Sequence, residues 1–135
     1  MKETVCMKQV KQLFVVLPNE PGSSAKLTRI LKKKRIAIYA IAMFVDSARL
    51  HLSDAETAMH ALHENGYTAE IRKVLEILLP NKQGAMAEMT QKLGNAGINI
   101  EYMFGTIEKR QKHGRLILEV DNSELALKLF KNHKF

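Results

Sequence analysis

Two turns in this sequence combine residue types that can hold a small charged ligand. They span residues 17–22 (LPNEPG) and 79–84 (LPNKQG), and each follows an apolar run and puts a glycine where a helix should begin. Because the first N–H groups of a helix lack internal partners and lie at its positive end, they attract a carboxylate. Asn19 and Asn81, in the same turns, supply acceptors for an ammonium group. The turns are therefore candidate sites for a free amino acid, or else ordinary turns, in which Asn and Gly are common.

Other residues that could do chemistry are sparse. His60 and His63 lie three positions apart on a predicted helix, with His51 just upstream, but no obvious third ligand completes a metal site. Cys6 is the only cysteine, which excludes an internal disulfide and a thiolate cluster within one chain. The sequence contains no Ser-His-Asp spacing, phosphate-binding loop, dinucleotide fingerprint or paired carboxylates. We therefore predict a protein that is not an enzyme and uses neither a metal nor a cofactor.

The net charge of +7 raises nucleic acid as a possible partner. Basic residues cluster at 32–35 (KKKR), on the last turn of a predicted helix, where the helix dipole favours cations. Interleaved aromatic residues are missing and the chain has no Trp, so a base would find little to stack on. We predict that nucleic acid is not the partner. RNA binding by this cluster is the weaker alternative, and it requires an affinity that falls steeply with salt.

The composition is that of a soluble globular protein, with 46% hydrophobic and 26% charged residues. No apolar run approaches the roughly 18 residues that a membrane span requires. The N-terminus lacks the basic-then-apolar pattern of a signal peptide. We therefore expect a cytoplasmic protein without a membrane partner.

The two turns belong to a longer internal repeat. With an offset of 62 residues and no gap, nine of the 22 positions in residues 17–38 are identical to those in residues 79–100. The identities fall on the residues that end strands and start helices, which favours duplication over chance convergence. The matching residues of the first copy are Leu17, Pro18, Asn19, Gly22, Ala25, Thr28, Leu31, Ile36 and Ile38.

Hydrophobic periodicity predicts the same order of elements in both copies. The first copy has a strand at 12–17, a helix at 23–34, a strand at 36–44, a short strand at 49–52, a helix after residues 53–56 and a strand at 67–74. Ser53 and Glu56 have the spacing of a capping box at the start of the second helix. Gly66 follows that helix in the position of a left-handed C-cap.

The second copy repeats this order but stops early. Its elements are a strand at 75–79, a helix with Met86, Met89 and Leu93 on its apolar face, strands at 98–104 and 115–120, and a helix from Asp121 or Asn122. We predict an α+β protein of two tandem ferredoxin-like (βαββαβ) units, with helices on one face of an antiparallel sheet. Residues 1–9 are a tail, 10–72 the first unit and 73–135 the second, which lacks its last strand. The tail or another subunit must cover that edge, and we expect a homodimer.

The pattern of an apolar strand, Asn-x-x-Gly, an amphipathic helix and Gly-Ile-Asn-Ile-Glu-Tyr at 97–102 resembles the ACT domain family, the small-molecule sensors of amino-acid metabolism. The resemblance covers nearly the whole chain as two tandem copies and is strongest over residues 77–104. It implies ferredoxin-like units that associate side by side and bind effector amino acids between them. Arg35 departs from the pattern, because it stands where the second copy has Gly97.

The resemblance also implies site residues. In the second copy, the ligand-contacting positions match Asn81, Lys82, Gln83, Gly84 and Asn99, and the walls of the pocket match Tyr102 and Met103. In the first copy, the corresponding loop positions are Asn19, Glu20 and Gly22.

Two functions follow from these residues and the resemblance. The first is a non-enzymatic regulatory or sensor protein that binds a free amino acid as an allosteric effector, at the interface between ACT-like units. The alternative is an accessory regulatory subunit that docks on an amino-acid biosynthetic enzyme.

Overall fold

The computed structural model describes residues 6–135, and the predicted order of strands and helices is present in them. The strands are β1 (Cys6–Val16), β2 (Ile38–Met43), β3 (Ser47–Leu52), β4 (Ala69–Pro80), β5 (Ile100–Thr106) and β6 (His113–Val120). The helices are α1 (Ser23–Lys33), α2 (Ala55–Glu64), α3 (Ala85–Asn95) and α4 (Ser123–Phe130). The strands are hydrogen-bonded in the order β2-β3-β1-β4-β6-β5.

One compact unit is Lys11–Lys73. Its strand order is β2-β3-β1-β4, and β1 pairs antiparallel with β3 from Leu13 opposite Leu50 to Val16 opposite Ser47. The helices bury one face each against these strands, because their apolar residues recur at helical spacing. The fully or almost fully buried side chains include Leu13, Val15, Leu27, Leu31, Leu50 and Leu62. Burying each such side chain contributes about 1.5–3 kcal/mol, which is why the helices stay on this face.

The other unit is Val74–Phe135 together with the described N-terminal residues up to Val10. Here β4 pairs antiparallel with β6, from Leu75 opposite Leu118 to Pro80 opposite His113, and β5 pairs with the outer side of β6. Its core includes Leu75, Ile77, Met89, Leu93, Leu118, Phe130 and Phe135. The predicted fold class, two tandem ferredoxin-like units with antiparallel strands, is confirmed.

The N-terminal segment differs from the predicted tail. Residues 1–5 of that tail lie outside the described residues, but β1 already begins at Cys6. Residues 6–10 belong to the unit of residues 74–135, where Met7 packs against the core and β1 neighbours β4. The beginning of β1 therefore takes the place of the last strand that this unit lacks. The expectation of an oligomer rested on an uncovered edge in the second unit. Because β1 covers that edge, it no longer supports an oligomer.

The cap of α2 also differs from the prediction. The carboxylate of Asp54, rather than the hydroxyl of Ser53, accepts the N–H of Thr57, at 3.0 Å. The Ser53 hydroxyl instead accepts the N–H of Ala37, at 2.9 Å, so it is occupied outside the helix. Glu56 makes an ion pair with Lys11. The N–H of Ser53, which Glu56 would accept in a capping box, donates to the Ala37 carbonyl at 3.0 Å instead. The predicted start of the last helix at Asp121 or Asn122 is confirmed, because the Asn122 side chain caps α4.

Candidate functional site

The loop after β4 presents the start of α3 without a side-chain cap. Gly84 is the N-cap residue, and its φ of 90° is one that residues with a Cβ rarely adopt. The N–H of Ala85 is bonded to the Lys82 carbonyl at 3.2 Å, and that of Glu88 to the Gly84 carbonyl at 2.9 Å. The intervening N–H groups, of Met86 and Ala87, belong to the first turn, which a helix cannot pair internally. These donors can accept a carboxylate.

Asn81 holds this loop to the connection between β5 and β6. Its side-chain amide donates to the carbonyls of Glu108 and Gln111, at 2.9 and 2.8 Å, and its own N–H donates to the Lys112 carbonyl at 2.8 Å. Both amide hydrogens of this half-buried side chain are therefore used. The side-chain oxygen keeps its capacity to accept a hydrogen bond. Asn81 thus positions the loop and offers an acceptor, but not a spare donor.

The connection between β5 and β6, residues 107–112 (IEKRQK), was not predicted from the sequence. It is six residues long, whereas β2 and β3 of the first copy are joined by residues 44–46 alone. The exposed carboxylate of Glu108 lies on this segment, whose backbone contacts the Asn81 amide. A run of charged residues between two apolar strand patterns is the signal that could have indicated it.

The other predicted loop residues are exposed beside the helix start. Lys82 and Gln83 are both solvent-exposed, and the N–H of Lys82 donates to the Pro80 carbonyl at 2.9 Å. A lysine here adds positive charge where the helix dipole is already positive. The electrostatics of the loop therefore favour an anionic group.

Asn99, a predicted ligand contact, lies far from the Asn81 loop within the same unit. Pro80 is opposite His113 at one end of β6, whereas Ile100, the residue after Asn99, is opposite Val120 at the other end. Seven residues of strand at about 3.4 Å each put these ends about 24 Å apart. Asn99 therefore does not contact the Asn81 loop of its own unit.

Tyr102 and Met103 lie closer to the same far end, opposite Glu119 and Leu118 of β6. The Tyr102 ring packs against Phe104, with centroids 5.5 Å apart. The Met103 side chain is 37% exposed. The structure thus groups Asn81, Lys82, Gln83 and Gly84, and leaves Asn99, Tyr102 and Met103 on a separate stretch of β5.

The first copy builds the same turn with different surroundings. Gly22 is the N-cap of α1 with a φ of 91°, again without a side-chain cap. Asn19 and Glu20 are exposed, and within the described chain the Asn19 side chain makes no hydrogen bond, unlike Asn81. The carboxylate of Glu20 replaces the ammonium of Lys82. This turn is therefore less suited to an anion than its counterpart.

The groups with altered titration lie elsewhere. Hydrogen bonds from the Thr57 side chain and backbone hold the pKa of Asp54 below its usual value, and the bond from Lys11 does the same for the pKa of Glu56. Both carboxyl groups are at the start of α2.

The histidines considered for a metal site are not grouped. In residues 6–135 no three His, Cys, Asp or Glu side chains come together in a way that could hold a metal ion. His63 is engaged with the carbonyl of Ala69, at 2.7 Å. In the same part of the chain, no helix has the length and apolar character that crossing a bilayer requires.

The comparisons with known proteins agree with this architecture. Residues 8–135 match the family model described as an ACT domain pair. The protein BT0572 from Bacteroides thetaiotaomicron is 28% identical with a TM-score of 0.82, covering 91% of this chain and 87% of that one. The regulatory subunit of aspartate kinase from Thermus flavus is 18% identical with a TM-score of 0.69, covering 96% and 95%.

A ligand-free regulatory subunit of aspartate kinase from Thermus thermophilus is also similar, with 21% identity, a TM-score of 0.68 and coverage of 96% and 97%. No curated protein sequence matches the chain. The two aspartate kinase subunits establish likeness of fold. The family match spans both units and the turns that carry Gly22 and Gly84, so this chain belongs to the ACT domain pair family.

Proposed function

We propose that this protein is a non-enzymatic regulatory module that binds a free amino acid at the start of α3. The observation that carries the proposal is the uncapped N-terminus of α3 beside the anchored side chain of Asn81. A site of this kind binds through preplaced backbone donors and needs no catalytic group.

The loop matches the two charged ends of an amino acid. The ligand carboxylate would accept hydrogen bonds from the N–H groups of Met86 and Ala87, with Lys82 adding attraction. The ligand ammonium group would donate to the side-chain oxygen of Asn81 and to the exposed carboxylate of Glu108. The Asn81 oxygen is well placed for this role because both amide hydrogens are already held by the connection.

We further propose that two copies of the chain complete the site. Asn99, Tyr102 and Met103 lie at the opposite end of the unit from the Asn81 loop, so one unit cannot wrap a ligand with both sets. If β5 of one copy pairs antiparallel with β5 of a second copy, the C-terminal end of one strand lies beside the N-terminal end of the other. That arrangement brings Asn99 of the second copy toward the Asn81 loop. β5 is an edge strand and exposes Met103, which supports this pairing.

Calorimetric titration with each of the twenty amino acids tests the proposal. We expect saturable binding of one amino acid or a small related group, with two sites per dimer. Lys82→Glu, which introduces the residue of the first copy, should weaken binding about tenfold, a change of about 1.4 kcal/mol, without altering the fold. Asn81→Ala should abolish binding.

The first copy offers the matched control. Asn19→Ala removes the equivalent side chain from the other turn and should leave the affinity unchanged. The proposal would be contradicted if none of the twenty amino acids bound, or if Asn19→Ala and Asn81→Ala lowered the affinity equally.

A second candidate function is an accessory subunit of an amino-acid biosynthetic enzyme. It is supported by β2, an edge strand of the unit Lys11–Lys73, and the turn after it, where Tyr39, Phe44 and Val45 are 61%, 47% and 71% exposed. It is also supported by the Thermus flavus regulatory subunit of aspartate kinase, a chain that this one covers almost completely. Sedimentation of the protein mixed with a purified aspartate kinase tests this function. A complex that Val45→Lys abolishes would support it, and independent sedimentation of the two proteins would exclude that enzyme.

A further inference from the structure

A basic groove lies along α1 in the unit Lys11–Lys73, in the other half of the duplication from the Asn81 loop. Its cavity has a volume of about 320 Å³ and is lined by Lys26, Arg29 and Lys33, together with Ile30, Asn65 and Tyr67. The three cations are spaced three and four residues apart, so they lie on one face of the helix. Ile30 also belongs to α1, and Asn65 and Tyr67 come from the segment after α2.

The three cations are not neutralised. Lys26, Arg29 and Lys33 are exposed, and none of them forms an ion pair with any residue of the described chain. Their mutual repulsion disfavours this arrangement, and an anion in the groove would relieve it. A single anionic group could contact more than one of them.

The duplicated unit shows that the fold does not require these charges. With the offset of 62 residues, Lys26, Arg29 and Lys33 correspond to Glu88, Gln91 and Asn95. Those three residues line the equivalent groove of the other unit, between α3 and the segment after α4, with Lys92 and His133. The same groove therefore forms without the cluster of three cations.

The helix dipole favours Glu88 in α3 but disfavours Lys26 at the equivalent position of α1. Glu88 lies in the first turn of α3, where negative charge is favoured, and α1 has no acidic residue in its first turn. Lys26 instead places a cation at the positive end of its helix. Helix stability therefore explains Glu88 but does not explain Lys26.

The groove continues toward the start of α1. A second cavity of about 260 Å³ shares Lys26, Asn65 and Tyr67 with the first and extends to Ser23 and Glu20. Tyr67 is half-buried, packs against the core of the unit and also lines both cavities. The groove thus has Arg29 and Lys33 at one end, Lys26 and Tyr67 where the two cavities meet, and the carboxylate of Glu20 at the other end.

We propose that this groove binds a small molecule that carries two or more phosphate groups, of the nucleoside di- or triphosphate class. Adjacent phosphates can contact Arg29 and the two lysines together, since guanidinium and ammonium groups are the usual partners of phosphate. The ring of Tyr67 and the side chain of Ile30 offer a surface on which a base can pack. The combined cavity is of the size that holds such a molecule.

Titration calorimetry with ATP in magnesium-free buffer tests the inference on the full chain. We expect saturable binding that weakens with added salt, weaker binding of tripolyphosphate, and none of adenosine. The triple variant Lys26→Glu, Arg29→Gln, Lys33→Asn should lower the affinity for ATP at least tenfold. It carries the residues of the second unit, which accommodates them in the same groove, and circular dichroism checks its fold.

A control variant with the same change of net charge isolates the groove. Lys32→Glu with Lys34→Glu alters neighbouring cations that do not line the cavity, and it should change the affinity less than threefold. Asn81→Ala should leave ATP binding unchanged, which separates this site from the amino-acid site. Absence of saturable ATP binding, or equal losses in the two charge variants, would overturn the inference. Tighter binding of a single-stranded RNA, lost in the triple variant, would also overturn it in favour of nucleic acid.

Discussion

Arg35 and Gly97 occupy equivalent positions after α1 and α3, and both have positive φ values, of 57° and 75°. The two backbones follow the same path, because the N–H groups of Ile36 and Ile98 are bonded to the carbonyls of Leu31 and Leu93 at 3.1 and 3.0 Å. An arginine in this left-handed region is strained by its Cβ, whereas glycine is not. The first copy therefore keeps the turn at a cost that the second avoids.

The first prediction concerns this strain. Arg35→Gly relieves the strain of the Cβ but also gives the unfolded chain more entropy. We expect the net result to be a free energy of unfolding that is higher by about 0.5–1 kcal/mol. Urea denaturation measures the change. Gly97→Ala is the reciprocal variant and should lower stability by a similar amount, although its Cβ would meet open space. Equal stability of all three proteins would mean that the turn is not strained.

The second prediction concerns the anchoring of the Asn81 loop. Asn81→Ala removes two hydrogen bonds from a half-buried side chain, so the free energy of unfolding should fall by about 1–2 kcal/mol. Asn19→Ala removes an exposed side chain and should change stability by less than about 0.5 kcal/mol. Thermal unfolding of the two variants makes the comparison. A larger loss from Asn19→Ala would show that the two turns have been assigned the wrong roles.

The third prediction concerns pH. The side-chain and backbone hydrogen bonds of Thr57 lower the pKa of Asp54 in the folded protein below its usual value of 3.8. The folded state thus binds the proton less readily than the unfolded state, and the stabilisation is present above about pH 4 and lost as the pH falls through the lowered pKa. Asp54→Asn keeps the cap but does not titrate.

The melting temperatures of the wild-type protein and Asp54→Asn, measured from pH 6 to pH 2, test this sign. The wild-type protein should lose more of its melting temperature on acidification than the variant. The hydrogen bond from Lys11 lowers the pKa of Glu56 in both proteins, and the charge of Asp54, which raises that pKa, is a smaller cause. A difference that does not change with pH would show that the Asp54 carboxylate contributes nothing.

The fourth prediction separates the two edges of the sheet. Met103→Lys places a charge on the exposed side of β5 and should convert the proposed dimer to a monomer, because an ammonium group in a strand interface is desolvated. Val45→Lys, in the turn after β2 of the other unit, should leave the dimer intact. Sedimentation velocity distinguishes the two results. Dissociation caused by Val45→Lys alone would place the dimer interface on β2.

Most of the fold could be predicted from the sequence because it depends on local patterns. The apolar run before each turn and the helical spacing after it predicted α1 at 23–34, and it lies at Ser23–Lys33. The helix cap was harder, because Ser53 and Asp54 are both good capping residues. The choice between them depends on the N–H of Ala37, which is distant in sequence and bonds the Ser53 hydroxyl.

The candidate site was only partly predictable. Glycine in a positive-φ turn before a helix is a local signal, so the uncapped starts of α1 and α3 followed from the residues alone. The partners of the Asn81 amide are 27 and 30 residues away, and no short-range pattern indicates them. The basic run at 32–35 is visible in the sequence, but only Lys33 of that run lines the cavity, together with Lys26 and Arg29.

The sequence by itself determined the duplication, the order of the elements and the two glycine turns, because periodicity and turn chemistry act over a few residues. Only the tertiary structure decided that the beginning of β1 fills the edge of the second unit and that Asn99 lies far from the Asn81 loop. Both depend on strand register. Strand register depends on which side chains pack into the same core. These side chains are far apart in the sequence, so no local pattern predicts which of them pair.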